Sequence, residues 1–141
     1  MIVTDLKESI EIAVRFSEID MMNVVWHGNY VKYLEDGREA FGKKYNIHYL
    51  FLFNQEVYVP LVNIELDYKK PLRYDEKAIV EVRYIDSESA KLIFEYTIYR
   101  SSNMEVVATA KTVQVFLNIK MELLLTFPDF FIQWKKKWLP K

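Results

Sequence analysis

From Ile10 to Ser17 the chain alternates, with Ile10, Ile12, Val14 and Phe16 on one face and Glu11, Arg15 and Ser17 on the other. A period of two marks a half-buried strand. The pattern stops at Glu18-Ile19-Asp20, and Met21 to His27 is irregular. From about Gly28 to Lys44 the period lengthens to that of a helix, with Tyr30, Tyr33, Leu34, Gly37 and Phe41 in one stripe and Lys32, Glu35, Asp36 and Glu39 mostly off it. Gly28 or Asn29 can cap its start, and Lys43 and Lys44 complement the dipole at its end. Glycine costs about 1 kcal/mol relative to alanine inside a helix, so Gly37 predicts a close approach to a sheet. A short second helical piece is expected around Ile47 to Asn54.

Four more strands follow. Val62, Ile64, Leu66 and Tyr68 alternate with polar neighbours, as do Ala78, Val80, Val82 and Tyr84, and then Leu92, Phe94, Tyr96 and Ile98; Val106 to Leu117 is apolar on both faces. The turn-forming runs Pro71 to Glu76, Asp86 to Ser89 and Ser101 to Asn103 separate them. Connections of hairpin length predict an antiparallel sheet. One long helix against one such sheet is an α+β domain, and no repeat or linker divides residues 1–141. In the tail, Phe130, Trp134 and Trp138 share helical spacing beside three lysines. That pattern suits a helix docked on the sheet or on a neighbouring subunit better than a membrane-surface helix.

Composition narrows the function classes. At 141 residues with a formal net charge of −1 the chain carries no basic signature of a nucleic-acid partner. It has no cysteine, which excludes disulfides and thiolate chemistry, and its two histidines, His27 and His48, are too few for most zinc sites. No signal-peptide pattern opens it and no apolar run reaches the ~20 residues of a membrane span, so a cytoplasmic protein is expected. Ten tyrosines suit both strands and amphipathic pockets.

The run from Val14 to Arg38, with Asp20, Asn23, Val25, His27, Gly28, Tyr30, Glu35 and Arg38, resembles the opening of the 4-hydroxybenzoyl-CoA thioesterase and YbgC-like branch of the hotdog superfamily. A second block, Asp67 to Glu76 with Tyr68, Pro71, Leu72 and Asp75, is similar to that family's turn between its second and third strands. The resemblance extends over nearly the whole chain and is weakest after Leu117. It implies a hotdog fold, in which a five-stranded antiparallel sheet wraps one long central helix. It also implies hydrolysis of an acyl-CoA or acyl-carrier-protein thioester.

Asp20 stands where the family has its catalytic carboxylate. Thioester hydrolysis needs a nucleophile on the carbonyl carbon or a base that activates water, and a carboxylate can be either. On position alone, Asp20 is equally a turn residue bonded to nearby backbone N–H groups. His27, seven residues on, is implied to donate to the thioester carbonyl or to position water; the competing reading is an exposed histidine at a helix start. His48 lies outside the motif and reads as structural. Charge develops on the carbonyl oxygen during the reaction; by the resemblance, a backbone N–H at Tyr58 or Val59 would meet it, although either could be an ordinary strand amide. The free N–H groups at the start of the central helix add to the same field. Lys69, Lys70 and Arg73 could meet the phosphates of CoA or a carrier protein's acidic face, solvation being the default for such charges. Asn23 departs from the family's usual glycine, and asparagine is the non-glycine residue best suited to left-handed geometry.

A sheet of this kind alone leaves an edge strand unpaired, so a homodimer or homotetramer is expected. In the family the site forms between subunits. No metal or bound cofactor is expected, CoA or phosphopantetheine being part of the substrate. Two rivals stay open: a hotdog hydratase or dehydratase on acyl thioesters, whose helix-entry motif is missing here, and a non-catalytic acyl-thioester binding protein.

Overall fold

Alternation in the sequence becomes pairing in the computed structural model, which describes residues 2–139. Strands β1 (Ile2–Ala13), β2 (Leu61–Tyr68), β3 (Lys77–Asp86), β4 (Lys91–Arg100) and β5 (Val106–Val115) form one antiparallel sheet in the order β1-β3-β4-β5-β2. Helix α1 (Asn29–Tyr45) is followed by the short α2 (Tyr49–Phe53), and α3 (Asp129–Trp138) closes the chain. Registers such as Ile10↔Val80↔Ile98↔Ala108 align even-numbered residues across four strands. That face packs on Tyr30, Tyr33, Leu34 and Phe41 of α1 in one core. This is the helix-in-sheet arrangement of the hotdog fold. Among the described residues no helix is long and apolar enough to cross a membrane.

Gly37 does what its position in the stripe predicted. A Cβ there would lie 2.7 Å from a Val82 methyl and 2.9 Å from one of Val80, so only glycine lets α1 sit this close to β3. The tail is docked on its own chain: Phe131 and Trp134 of α3 are buried against Tyr84 and Phe116, and the Trp134 Nε1–H donates to Tyr45 O at 2.6 Å.

Three expectations are corrected. The first strand begins at Ile2, well before Ile10, because the polar residues Lys7, Glu8 and Ser9 pair along β3 on an exposed edge and the register shifts between Val3 and Lys7, which blurs the alternation. It ends at Ala13, and Phe16 is 73% exposed. The Arg15 N–H is taken by the Glu18 carboxylate at 2.8 Å, which folds Phe16–Glu18 into a tight turn and swings Phe16 out against Tyr74. Lastly, β2 is no neighbour of β3. It lies on the far side of β5, so residues 69–76 cross the ends of two strands. Eight residues reach up to about 27 Å, twice the roughly 14 Å of three strand spacings. Arg100, at the end of β4, braces the crossing through Pro71 O at 2.9 Å and an ion pair with Glu76.

Candidate functional site

Between β1 and α1 the chain makes a small hairpin. Ile19 bridges Val25, the Asp20 N–H donates to Val24 O at 2.9 Å, and the Asn23 N–H donates to Asp20 O at 3.1 Å. Closing so short a turn requires a left-handed residue, and Asn23 supplies it with φ of 61°. Asp20 therefore sits where the turn begins. Its Oδ1 accepts the Met22 N–H at 2.8 Å, and its carboxylate makes no other hydrogen bond among the described residues. The local turn contact and a free carboxylate oxygen coexist in one side chain.

Glu18 fixes this hairpin to the helix. Its backbone oxygen accepts the Trp26 N–H and the Asn29 Nδ2–H, both at 2.9 Å, and its Oε1 accepts the Tyr33 hydroxyl at 2.9 Å as well as the Arg15 N–H. Burial, followed by the Glu18 carboxylate, pushes the Tyr33 phenol well above its ordinary range, so it stays a protonated donor. Glu18 was missed by sequence reasoning. The available signal was a glutamate three residues after Arg15, a spacing at which its side chain can reach back to a backbone N–H.

His27 is exposed immediately before α1. Its backbone oxygen accepts the Tyr68 hydroxyl at 3.0 Å, joining the end of β2 to the start of the helix. Neither the His27 nor the Gly28 N–H meets a backbone acceptor among the described residues, so both are donors at the positive end of α1. A cavity of about 300 Å³ opens here, lined by Val24, Val25, His27, Tyr30, Tyr68, Lys69, Lys70 and Pro71. Lys69 and Lys70 thus share one surface with His27. Arg73 reaches the hairpin through its backbone, bridging Val24, while the Val25 N–H donates to Leu72 O at 2.8 Å. Lys70 also pairs with Glu105 at 3.6 Å across an exposed surface.

Tyr58 and Val59 lie elsewhere. They line a larger cavity, about 600 Å³, with Tyr49, Leu52 and Phe53 of α2, Leu92 and Phe94 of β4, and Glu35 and Arg38 of α1. Within one chain Asp20 is not part of that lining. The two amides singled out as donors also differ. The Tyr58 N–H is committed to Leu117 O at 2.9 Å, because these residues close an antiparallel bridge, whereas the Val59 N–H meets no backbone acceptor among the described residues. Of the other aromatics, Phe51 turns away to Phe130 and Tyr33 to Glu18. His48 lies between α1 and α2 and lines neither cavity, although its neighbours Ile47 and Tyr49 line the larger one. Gln114, buried beside Val59, was also missed; its even number on β5 gave the signal, since that parity faces the core.

Among the described residues no group of three His, Asp or Glu side chains is placed to hold a metal ion. Two separate regions thus stand out: a turn carboxylate with helix-start amides and basic side chains beside it, and a cavity of mixed aromatic, aliphatic and charged lining that holds the free Val59 amide.

Comparison with known proteins adds the chemistry. The model of the Thioesterase-like superfamily matches residues 14–135. A Bacillus subtilis (strain 168) protein with the provisional name acyl-CoA thioesterase YneP is 34% identical over 131 residues, 89% of this chain and 94% of that one. An Arabidopsis thaliana protein, acyl-acyl carrier protein thioesterase ATL3, chloroplastic, is 26% identical over 111 residues, 79% of this chain and 58% of its own. The crystal structure of DHNA-CoA thioesterase from Staphylococcus aureus superposes with a TM-score of 0.82 at 24% identity, covering 93% of this chain and 90% of that one, which shows a shared fold.

Proposed function

The chain belongs to the thioesterase-like superfamily and is a thioester hydrolase, and from that premise we propose that Asp20 is the carboxylate that cleaves its acyl thioester. The observation that carries this reading is the placement of Asp20: one oxygen tied to the Met22 N–H, the rest of the carboxylate free, on a hairpin pinned to the start of α1. In the proposed reaction Asp20 either takes a proton from the water that attacks the carbonyl carbon or attacks that carbon itself. The second route gives an anhydride that water then opens. In both, the carbon–sulfur bond breaks and the thiolate leaves with a proton. The oxyanion is met by N–H groups at the start of α1, where the helix dipole adds its field.

The substrate we propose is an acyl-CoA or acyl-carrier-protein thioester. Lys69 and Lys70 line the cavity beside the helix start, Arg73 bridges Val24 through its backbone, and in this scheme the three basic side chains meet the phosphate of either carrier. The acyl group would occupy the 600 Å³ cavity among Tyr49, Leu52, Phe53 and Phe94. No metal or cofactor takes part in this scheme, and the cytoplasm as its compartment belongs to the same proposal.

A dimer connects the two separated regions. β2 is an edge strand, and Leu61, Val62 and Tyr68 expose apolar surface along it. Two copies of one edge related by a twofold axis pair antiparallel, so the Tyr68 end of β2 meets the Leu61 end of the other copy. Tyr68 is bonded to His27, and Val59 lies two residues before Leu61. The pairing brings Val59 of the partner subunit towards Asp20 and His27.

The test is free-thiol release from a panel of acyl-CoAs. Asp20→Asn keeps the size of the side chain and removes the base or nucleophile, and turnover is expected to fall by about 10²–10⁴-fold with the fold retained. A folded Asp20→Asn protein with near-normal turnover would overturn the assignment.

A further inference from the structure

Between α2 and β2 the segment from Tyr58 to Pro60 is stitched to the end of β5. The Tyr58 N–H donates to Leu117 O at 2.9 Å, the Leu117 N–H to Tyr58 O at 2.8 Å, and the Val115 N–H to Pro60 O at 3.1 Å. Proline has no N–H to return. Val59 lies between two such pairs, and in an antiparallel ladder a residue in that position turns both its N–H and its C=O away from the partner backbone. Its C=O is met by a side chain: Gln114 Nε2–H donates to Val59 O at 2.8 Å. Its N–H meets no backbone acceptor among the described residues, and both Val59 and Gln114 line the 600 Å³ cavity.

Gln114 is a poor choice for stability alone. It is buried, and only the amide nitrogen can donate to a carbonyl, so the contact with Val59 fixes which way the amide points. Oε1 is then left buried with no partner. An unsatisfied buried acceptor destabilises the fold, and an apolar side chain of similar length would fill the space without one. What Gln114 supplies that an apolar residue cannot is a fixed direction for Val59.

We propose that Gln114 is a positioning residue, holding the Val59 carbonyl so that the Val59 N–H is set towards the cavity as a donor to the thioester carbonyl oxygen. This rests on the thioesterase reading above and adds Val59 to the helix-start N–H groups as a second oxyanion donor. A donor aimed at charge that develops only in the transition state raises kcat and leaves ground-state binding nearly unchanged.

The experiment compares steady-state thiol release and thermal unfolding of the full chain with those of Gln114→Met and Gln114→Glu, using one acyl-CoA that the wild type hydrolyses. Gln114→Met keeps reach and removes the donor. The expected result is a kcat about 10- to 100-fold lower, with KM within about twofold. Tm should stay within a few degrees, because the lost Val59 contact and the lost orphan oxygen offset each other. In Gln114→Glu the carboxyl can donate to Val59 O only when protonated, so its kcat relative to wild type should rise as pH falls. Glu35, Asp36, Arg38 and Glu39 line the same cavity, so that ratio is compared with the ratio for Gln114→Met, in which those groups titrate equally. A Gln114→Met protein with wild-type kcat overturns the proposal, as does one whose kcat, KM and Tm worsen together. A Gln114→Glu ratio that stays flat with pH also overturns it, and decides the matter alone if the methionine variant fails to fold. Asp20→Asn run in parallel separates the two proposals: inactive Asp20→Asn beside normal Gln114→Met removes only the positioning role, whereas active Asp20→Asn removes the carboxylate assignment.

Discussion

Gly37→Ala measures how closely α1 must approach β3. The new Cβ would lie 2.7 Å from Val82 Cγ2 and 2.9 Å from Val80 Cγ1, whereas carbon atoms prefer about 3.5–4.0 Å. Helix and strand must separate by roughly 1 Å, or both valines must leave their rotamers. Overpacking of this kind costs about 1–3 kcal/mol. Alanine returns about 1 kcal/mol of helix propensity, so the net loss should fall between about 0 and 2 kcal/mol. Urea unfolding followed by circular dichroism reads this directly; with a slope of about 1–3 kcal/mol per molar, the midpoint should fall by up to about 2 M. Val82→Ala removes the nearer methyl, so Gly37→Ala should cost less in that background, with a coupling of about 0.5–3 kcal/mol between the two sites. A raised midpoint for Gly37→Ala in the wild-type background would falsify the close-packing argument.

Burial pushes the Glu76 carboxyl up, and hydrogen bonds from Arg100 and the Arg73 N–H more than reverse this, leaving it below its ordinary value. A depressed carboxyl stabilises the fold above its unfolded value of 4.5 and loses that contribution as pH falls through its folded value. Glu76→Gln should therefore cost about 1–3 kcal/mol near neutrality, and the gap to wild type should close in acid; a gap independent of pH would contradict the ion pair's role. His27→Ala keeps the backbone N–H and removes only the imidazole, so its kcat should fall less than that of Asp20→Asn. An equal fall would make the imidazole the base. If the site is shared across β2 edges, dilution to monomer should abolish turnover in step with the mass seen by light scattering, and a fully active monomer would refute the shared site.

Sequence alone determined the elements, apart from the bounds of β1. Alternation at Val80, Val82 and Tyr84 and the stripe through Tyr30, Leu34 and Phe41 are local properties of a period of two and a period near 3.6, and they hold wherever the elements end up. Gly37 was legible for the same reason, since a glycine on an apolar helical stripe has few uses besides close approach. Asp20 was singled out by its motif alone, and the structure adds that the short turn closed by Asn23 ties one of its oxygens to the Met22 N–H and leaves the other without a hydrogen bond among the described residues.

Tertiary structure decided which strands meet and what the side chains near the site do. Whether β2 pairs with β3 or with β5 is invisible to alternation, because either neighbour buries the same face; the Arg100 brace on residues 69–76 accompanies the second arrangement. Phe16 continued the strand pattern and still left the core, because the Glu18 carboxylate captured the Arg15 N–H. Val59 and Gln114 are 55 positions apart, and nothing local to either records that the pairing of Tyr58 and Pro60 with the end of β5 turns the Val59 carbonyl away from that backbone, where a buried amide holds it. Contacts of that separation form only when the whole sheet closes around the helix, so they belong to the folded chain and to no segment of it.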